Sequence, residues 1–321
     1  MQYSVIDTQG RARRTVDIEV AGSPMMHDFS LTDKYVVLYD LPVTFDPVQV
    51  VPTNVPRWLN LPARLVVQSL IGRVRIPSPI TMMINRDRRP IHRMPYSWDP
   101  DYPARIGVMP RDGGNSDVRW FDIEPCYVYH PLNAYSEVSD GSEVLVLDVV
   151  RYPRMFDRDR RGPGDSRPTL DRWTVNLTTG TVSTECRDDR PQEFPRINET
   201  RLGGRHRFGY TVGVDGGYLS AGASEMSTAL YKHDYANGPS MTGALGPDLL
   251  IGEMSFVPQP TASAEGYPED NGILIGYGYC RSRDEGQLLL LDAETLESMA
   301  TVHLPQRVPM GFHGNWAPTV R

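Results

Sequence analysis

The sequence predicts an all-β protein, a β-propeller of about five blades, and three observations carry that expectation. Glycine and proline, 28 of each, make up about 17 % of the 321 residues, against roughly 12 % in ordinary globular chains. That surplus argues for many short strands joined by turns and against a helical bundle. Four segments repeat one pattern, an apolar-alternating strand ending in a short polar turn: Tyr3 to Gly10, Arg172 to Gly180, Leu230 to Gly238 and Gln287 to Thr295. Alternation closed by Gly, Asn or Asp marks an antiparallel hairpin. The spacing is regular as well. Gly180 and Gly238 are 58 residues apart and Gly238 and Thr295 are 57 apart, close to the roughly 40 to 50 residues of a propeller blade.

Taken in order, Tyr3 to Gly10 opens the series. Between Gly10 and Gly180 the segment 49–95 reads as an insertion, and what remains leaves room for about two more blades, so that 1–321 forms a single partial propeller domain. Within the insertion, Trp58, Leu61, Leu65, Leu70 and Ile71 fall roughly on one face of an amphipathic helix flanked by Arg57, Arg64 and Arg73. Such a stripe over 57–74 suits peripheral contact with a membrane interface, and it equally suits a helix packed over the mouth of the propeller. The charge-rich segment Arg151 to Arg172 reads as a solvated loop.

Composition excludes several functions. The net charge of −7 carries no concentrated basic face, so a nucleic-acid partner is not expected. No apolar run reaches the roughly 18 residues of a membrane span. The three cysteines, Cys126, Cys186 and Cys280, are odd in number, far apart and outside any CxxC, which fits a reducing compartment. With no charged-then-apolar segment at the N-terminus, a cytoplasmic location is expected. There is no HExxH, GxSxG, P-loop or GxGxxG, and Gly276 and Gly278 in GYGYC form only a fragment of a dinucleotide loop.

Three histidines sit among apolar, aromatic or glycine residues: His27 in MMHDF, His130 in YHPLNA and His313 in GFHG. His27 and His130 each precede a similar strand, VLYDL and LVLDV. Equivalent positions in different blades face one axis, so these residues could converge there, and neutral imidazoles on an axis suit iron, zinc or copper. The competing reading is a structural histidine ahead of a strand.

Five separated motifs, MMHDFSLTDKYVVLYDLPV, EPCYVYHPLNAY, DDRPQEFPRIN, GEMSFVPQP and LPQRVPMGFHGNW, resemble the carotenoid cleavage oxygenase family, which includes stilbene-cleaving dioxygenases. The resemblance runs from about Tyr3 to the end of the chain. It implies a seven-bladed propeller with one Fe(II) on its axis held by four histidines, three of them hydrogen-bonded to glutamates. By that resemblance His27, His130 and His313 match the second, third and fourth iron ligands, and Glu193 and Glu253 match two of the supporting carboxylates. Without it, Glu193 would be read as a surface residue and Glu253 as a charge at a strand edge. The resemblance implies O2-dependent cleavage of a conjugated C=C bond of a carotenoid, apocarotenoid or stilbene-like alkene into two carbonyl products. The family's first iron histidine lies upstream of the MMHDF motif. His92, His206, His233 and His303 fall outside the matching motifs and read as surface or loop residues. The chain is therefore expected to be an N-terminally truncated member lacking about two blades and binding Fe(II) weakly. The alternative from another class is a metal-free propeller serving as a binding or scaffold module.

Overall fold

The computed structural model of the protein describes residues 1–46, 95–158, 166–214, 229–259, 268–308 and 313–317. The chain opens with the hairpin β1 (Gln2–Ile6) and β2 (Ala12–Asp17), a two-stranded sheet. Next come β3 (Phe29–Leu31) and β4 (Tyr35–Asp40), a short pair β5 (Val43–Phe45) and β6 (Tyr96–Trp98), then β7 (Arg105–Pro110) and β8 (Arg119–Asp122). β4 pairs directly with β7, so β3-β4-β7-β8 is one four-stranded antiparallel sheet from which the chain departs and returns through the β5–β6 pair. The predicted amphipathic stripe at 57–74 and His92 lie outside the described residues.

The remaining strands follow a meander. β9 (Tyr127–Ser139), β10 (Ser142–Tyr152), β11 (Thr169–Asn176) and β12 (Val182–Asp188) form one sheet. β13 (Gln192–Arg196), β14 (Phe208–Gly213), β15 (Ala229–Asp234) and β16 (Gly238–Ala244) form another. β17 (Leu249–Pro258), β18 (Gly272–Cys280), β19 (Glu285–Asp292) and β20 (Ser298–His303) form the last. The four predicted hairpins are the turns β1–β2, β11–β12, β15–β16 and β19–β20. In the last three they join the third strand of a sheet to its outermost strand, which is why their spacing is constant. Gly10, Gly180 and Gly238 take the positive φ these turns need, and Leu296 takes it in the fourth. The β3-β4-β7-β8 sheet escaped the repeat because a longer connection with a 3₁₀ turn at Asn115–Asp117 closes its outer pair.

Cores form between successive sheets. β4 reads VVLY without alternation because both its faces are covered: Val37 and Tyr39 join Leu145, Leu147 and Trp173 of the next sheet, while Val36 and Leu38 pack with Ile18 behind them. A separate cluster joins Phe208, Tyr210 and Leu230 to Ile251, Met254, Phe256 and Leu289. The outermost strands β12 and β20 are almost wholly exposed, and Glu185, Arg187 and His303 keep these edges polar, which discourages edge pairing. The first strands lie side by side, β3 against β9, β9 against β13 and β13 against β17, and so line one common side, the expected axis.

Two expectations are corrected. The segment Arg151 to Arg172 is not a solvated loop throughout: Arg151 and Tyr152 end β10, Thr169 to Arg172 begin β11, and Met155 and Phe156 are fully buried. Its charge-rich composition hides two apolar residues that plug the core below Trp98, whose amide donates to the Phe156 carbonyl. His206 and His233 are likewise not surface residues, although His206 does lie in the loop ahead of β14. Both are buried, His206 beside Asn133 and Asp148, and His233 within β15, where Nε2 meets the Thr211 hydroxyl at 2.9 Å. His303 is exposed on β20, as expected.

Candidate metal centre

His27, His130, Glu193 and Glu253 each sit on, or just ahead of, the first strand of a sheet, while His313 lies in the segment after β20, and in three sheets the first strand carries a β-bulge at the site. In β9, Tyr129 and His130 together oppose Val150. In β13, Phe194 and Pro195 oppose Thr211, directly after Glu193. In β17, Gly252 and Glu253 oppose Tyr277. A bulge of two residues against one kinks the strand and re-aims a side chain, and here it turns one polar residue per strand toward the axis against the normal alternation. Phe194 holds the left-handed φ of 52° that this requires. The register explains the glycines of GYGYC too. Gly276 pairs with Met254 beside the β17 bulge, and a Cβ there would stand 2.5 Å from the Glu253 carbonyl oxygen and 2.4 Å from Met254 Sδ.

The five predicted site residues are brought together. One ligand nitrogen from each of His27, His130 and His313 lies within 4.8 Å of the other two. The rings of His27 and His130 meet edge to face at 4.9 Å, as do those of His130 and His313 at 4.8 Å. Glu193 Oε2 accepts from His130 Nδ1 at 2.6 Å and from the Phe194 amide at 2.6 Å. Glu253 Oε1 accepts from His313 Nδ1 at 3.2 Å, and its Oε2 takes the Gly314 amide at 2.7 Å. The Glu193 and Glu253 side chains are only 3 % and 6 % exposed, which removes the surface-residue and strand-edge readings.

The electrostatics follow from these contacts. Burial alone would depress His130, but the adjoining Glu193 carboxylate outweighs it and the pKa rises above the usual imidazole value. His27 is held below that value by burial and by the neighbouring His130 and His313 rings. With Nδ1 of His130 and of His313 each donating to a carboxylate, both neutral rings leave a lone pair on Nε2, and these two nitrogens stand 3.2 Å apart. Two lone pairs facing one another at that separation repel. A first-row cation bound at about 2.1 Å places neighbouring imidazole nitrogens about 3.0 to 3.4 Å apart, so the donor set fits a borderline transition metal. Glu193 Oε1 is buried as well.

Two cavities flank His313. One of about 300 Å³ is walled by Phe29, Leu132, Ile197, Leu202, His130 and His313. Another of about 330 Å³ lies against Ile275, Tyr277, Leu288 and Trp316. The sequence reasoning missed Arg196, whose guanidinium reaches both Glu253 and the backbone after His313. Its one signal was its place in PRIN, two residues beyond the strained Phe194.

A family description for the retinal pigment epithelial membrane protein (RPE65) matches residues 1–318. A carotenoid cleavage oxygenase of Mycobacterium tuberculosis is 73 % identical over 320 residues, 99 % of this chain and 63 % of the relative. Carotenoid 9,10(9',10')-cleavage dioxygenase 1 of Arabidopsis thaliana is 28 % identical over 98 % of this chain and 52 % of its own length. Among solved structures, cobalt-substituted Synechocystis ACO superposes with a TM-score of 0.73 at 24 % identity, covering 99 % of this chain and 58 % of that one; at that identity the likeness speaks for the fold. The chain thus spans between half and two thirds of the length of these relatives.

Proposed function

The chain belongs to the family of the retinal pigment epithelial membrane protein and the carotenoid cleavage oxygenases, and on that premise we propose that it serves a non-haem Fe(II) dioxygenase acting on a conjugated C=C bond of a carotenoid, apocarotenoid or related alkene. The observation that carries this reading is the convergence of three imidazoles, two of them braced by buried carboxylates. His27, His130 and His313 would hold the iron. When bound, the iron supplies activation of O2, and the balanced outcome places one oxygen atom on each carbon of the severed double bond, giving two carbonyl products.

The residues of this chain prepare the site for that chemistry. Glu193 and Glu253 fix the tautomers of His130 and His313, keep Nε2 available and supply negative charge from outside the ligand set. The depressed basicity of His27 keeps its ring neutral and able to bind a cation. The cavity beside His130 mixes Phe29, Leu132, Ile197 and Leu202 with Asp28, Arg196 and Glu199, whereas Ile275, Tyr277, Leu288 and Trp316 give the one against His313 a mainly apolar lining, which suits a polyene and would place one bond near the metal, where positioning lowers the barrier. Among the described residues no helix is long and apolar enough to cross a membrane.

The test is anaerobic loading with Fe(II) followed by exposure to air and an apocarotenal, with chromatography of the carbonyl products. In a full-length version of the protein, His130→Ala and His313→Ala are expected to lose iron and product together. Stoichiometric iron retained by both variants would overturn the ligand assignment.

A further inference from the structure

The segment 313–317 belongs to no strand, so something other than sheet pairing fixes His313. The contacts that fix it converge on Gly314. Its amide donates to Glu253 Oε2 at 2.7 Å, and its carbonyl accepts from Ser255 Oγ at 3.1 Å and from Arg196 Nη2 at 3.2 Å. The same Arg196 nitrogen donates to Asn315 Oδ1 at 3.0 Å and to Glu199 Oε1 at 2.8 Å, while Nη1 stands 3.6 Å from Glu253 Oε1. Arg196 comes from β13 and Glu253 from β17, so one guanidinium ties the segment after His313 to two neighbouring sheets.

We propose that Arg196 is the positioning residue for His313: its guanidinium clamps Gly314 and Asn315 and sets the orientation of Glu253, so that His313 Nε2 is held facing His130 Nε2. This rests on the reading of His313 as a metal ligand. An arginine suits this role because Nη2 reaches Gly314 and Asn315 while Nη1 stands beside Glu253, two places that the single ammonium of a lysine on its flexible stem cannot occupy together. Nη1 stands beyond hydrogen-bond reach of Glu253, leaving both carboxylate oxygens directed to the His313 ring and the Gly314 amide. The side chain is 19 % exposed and lines the cavity next to His130, but Nη2 is already engaged by three protein acceptors and Nη1 is turned to Glu253, which favours a support for the site over a substrate ligand.

The test combines two independent readouts on the 321-residue chain. Hydrogen exchange followed by mass spectrometry, without metal, is expected to show about tenfold faster exchange in the peptide containing 313–317 for Arg196→Met, on the order of the loss when charge-assisted hydrogen bonds are removed. Peptides from β18 and β19 should stay unchanged, and Arg196→Gln, which keeps one donor group, should fall between. Anaerobic Fe(II) titration is expected to show affinity about tenfold weaker in Arg196→Met, in the range found for groups supporting a ligand, with no further loss when Arg196→Met is added to His313→Ala. Unchanged exchange at 313–317, or faster exchange across the whole chain, overturns the clamp. Full Fe(II) affinity in Arg196→Met while His313→Ala is weakened overturns the positioning role. Full affinity in His313→Ala overturns the ligand reading on which it rests.

Discussion

Glu193 on β13 and His130 on β9 are joined by a 2.6 Å hydrogen bond that crosses from one sheet to the next, and the same carboxylate oxygen takes the amide of Phe194 at 2.6 Å. That second bond fixes the carboxylate to its own backbone, so the imidazole is oriented by a rigid group. The left-handed φ of Phe194 costs on the order of 1 kcal/mol, and a turn that aims Glu193 at His130 accounts for its presence.

Glu193→Gln keeps the shape and removes the charge. The pKa of His130 in the metal-free protein is expected to drop, since the carboxylate that holds it up is gone. Fe(II) affinity should weaken about 10- to 100-fold, the usual consequence of losing such a support. NMR titration of the ring protons and anaerobic titration measure the two effects, and an unmoved His130 pKa would show that Glu193 does not set its charge.

Gly276→Ala should destabilise the protein and disturb Glu253 together. The added methyl meets the Glu253 carbonyl oxygen and Met254 Sδ, and since backbone cannot swing aside, a loss of about 1 to 3 kcal/mol follows. At Gly278 the nearest neighbours are the Leu249 and Leu289 methyls at 3.0 Å, which can give way, so Gly278→Ala should cost less. Urea denaturation of the two variants checks the order. Equal midpoints would show that the β17 bulge tolerates a side chain opposite it.

Much of this was legible in the sequence and part was not, for identifiable reasons. The hairpins at Gly180, Gly238 and Thr295 announced themselves because tight turns restrict residue type, and their even spacing gave the sheet repeat. His27, His130 and His313 stood out by their apolar company, and the motif resemblance tied Glu193 and Glu253 to them. The bulges were invisible as such, because Pro195 or Gly252 beside a polar residue reads equally as an end of strand. The burial of His206 and His233 was missed because burial of a polar side chain depends on partners far away in sequence, Asn133 and Thr211, that no local pattern reveals. Asp40 and Asp148 show what a closer comparison of strands could have found: each is fully buried and paired with an arginine directly across the ladder, Arg105 and Arg172.

Those two buried histidines predict an acid-sensitive fold. Burial, and for His206 the nearby Arg172, pushes its pKa down to about 3; Asp148, 3.3 Å away, does little to raise it because Arg172 already engages both its oxygens at 2.8 Å. Burial pushes His233 down to about 4, with Asp188 opposing and Arg190 assisting. Both therefore bind protons less well folded than unfolded, where the pKa is about 6.5, and the unfolded chain gains protons as pH falls. Their contribution is complete above about pH 6.5 and is lost progressively toward pH 4 and below. Asp188 and Asp234, held down at about 2, stay ionised across that window. The urea midpoint should fall from pH 7.5 to 5, and the fall should be smaller in a His206→Gln, His233→Gln double variant. A midpoint independent of pH over this range would contradict the buried neutral state of both rings.

Lys232 offers the sharpest test of how successive sheets are bolted together. It is one of two lysines among 33 basic residues, and its ammonium is enclosed: Nζ donates to Asp270 Oδ2 at 2.6 Å and to the Glu294 carbonyl at 2.8 Å, and lies 4.5 Å from the centre of the Phe208 ring. These partners belong to β14, to the loop ahead of β18 and to the β19–β20 turn, so a side chain from β15 joins the third four-stranded sheet to the fourth. Lys232→Ala leaves Asp270 buried without its partner, a change that costs about 3 to 5 kcal/mol. Replacing both partners by apolar groups, Lys232→Met with Asp270→Leu, removes the charges together and should restore most of that loss, since the desolvation of a buried pair offsets much of its attraction. Lys232→Arg keeps the charge but carries a broader, planar head into a compartment built around a single nitrogen, and should also destabilise. Urea denaturation at pH 7.5 gives all three values. A double variant as unstable as Lys232→Ala would mean that the charge pair contributes more than its desolvation costs and that it, more than apolar packing, holds the two sheets together.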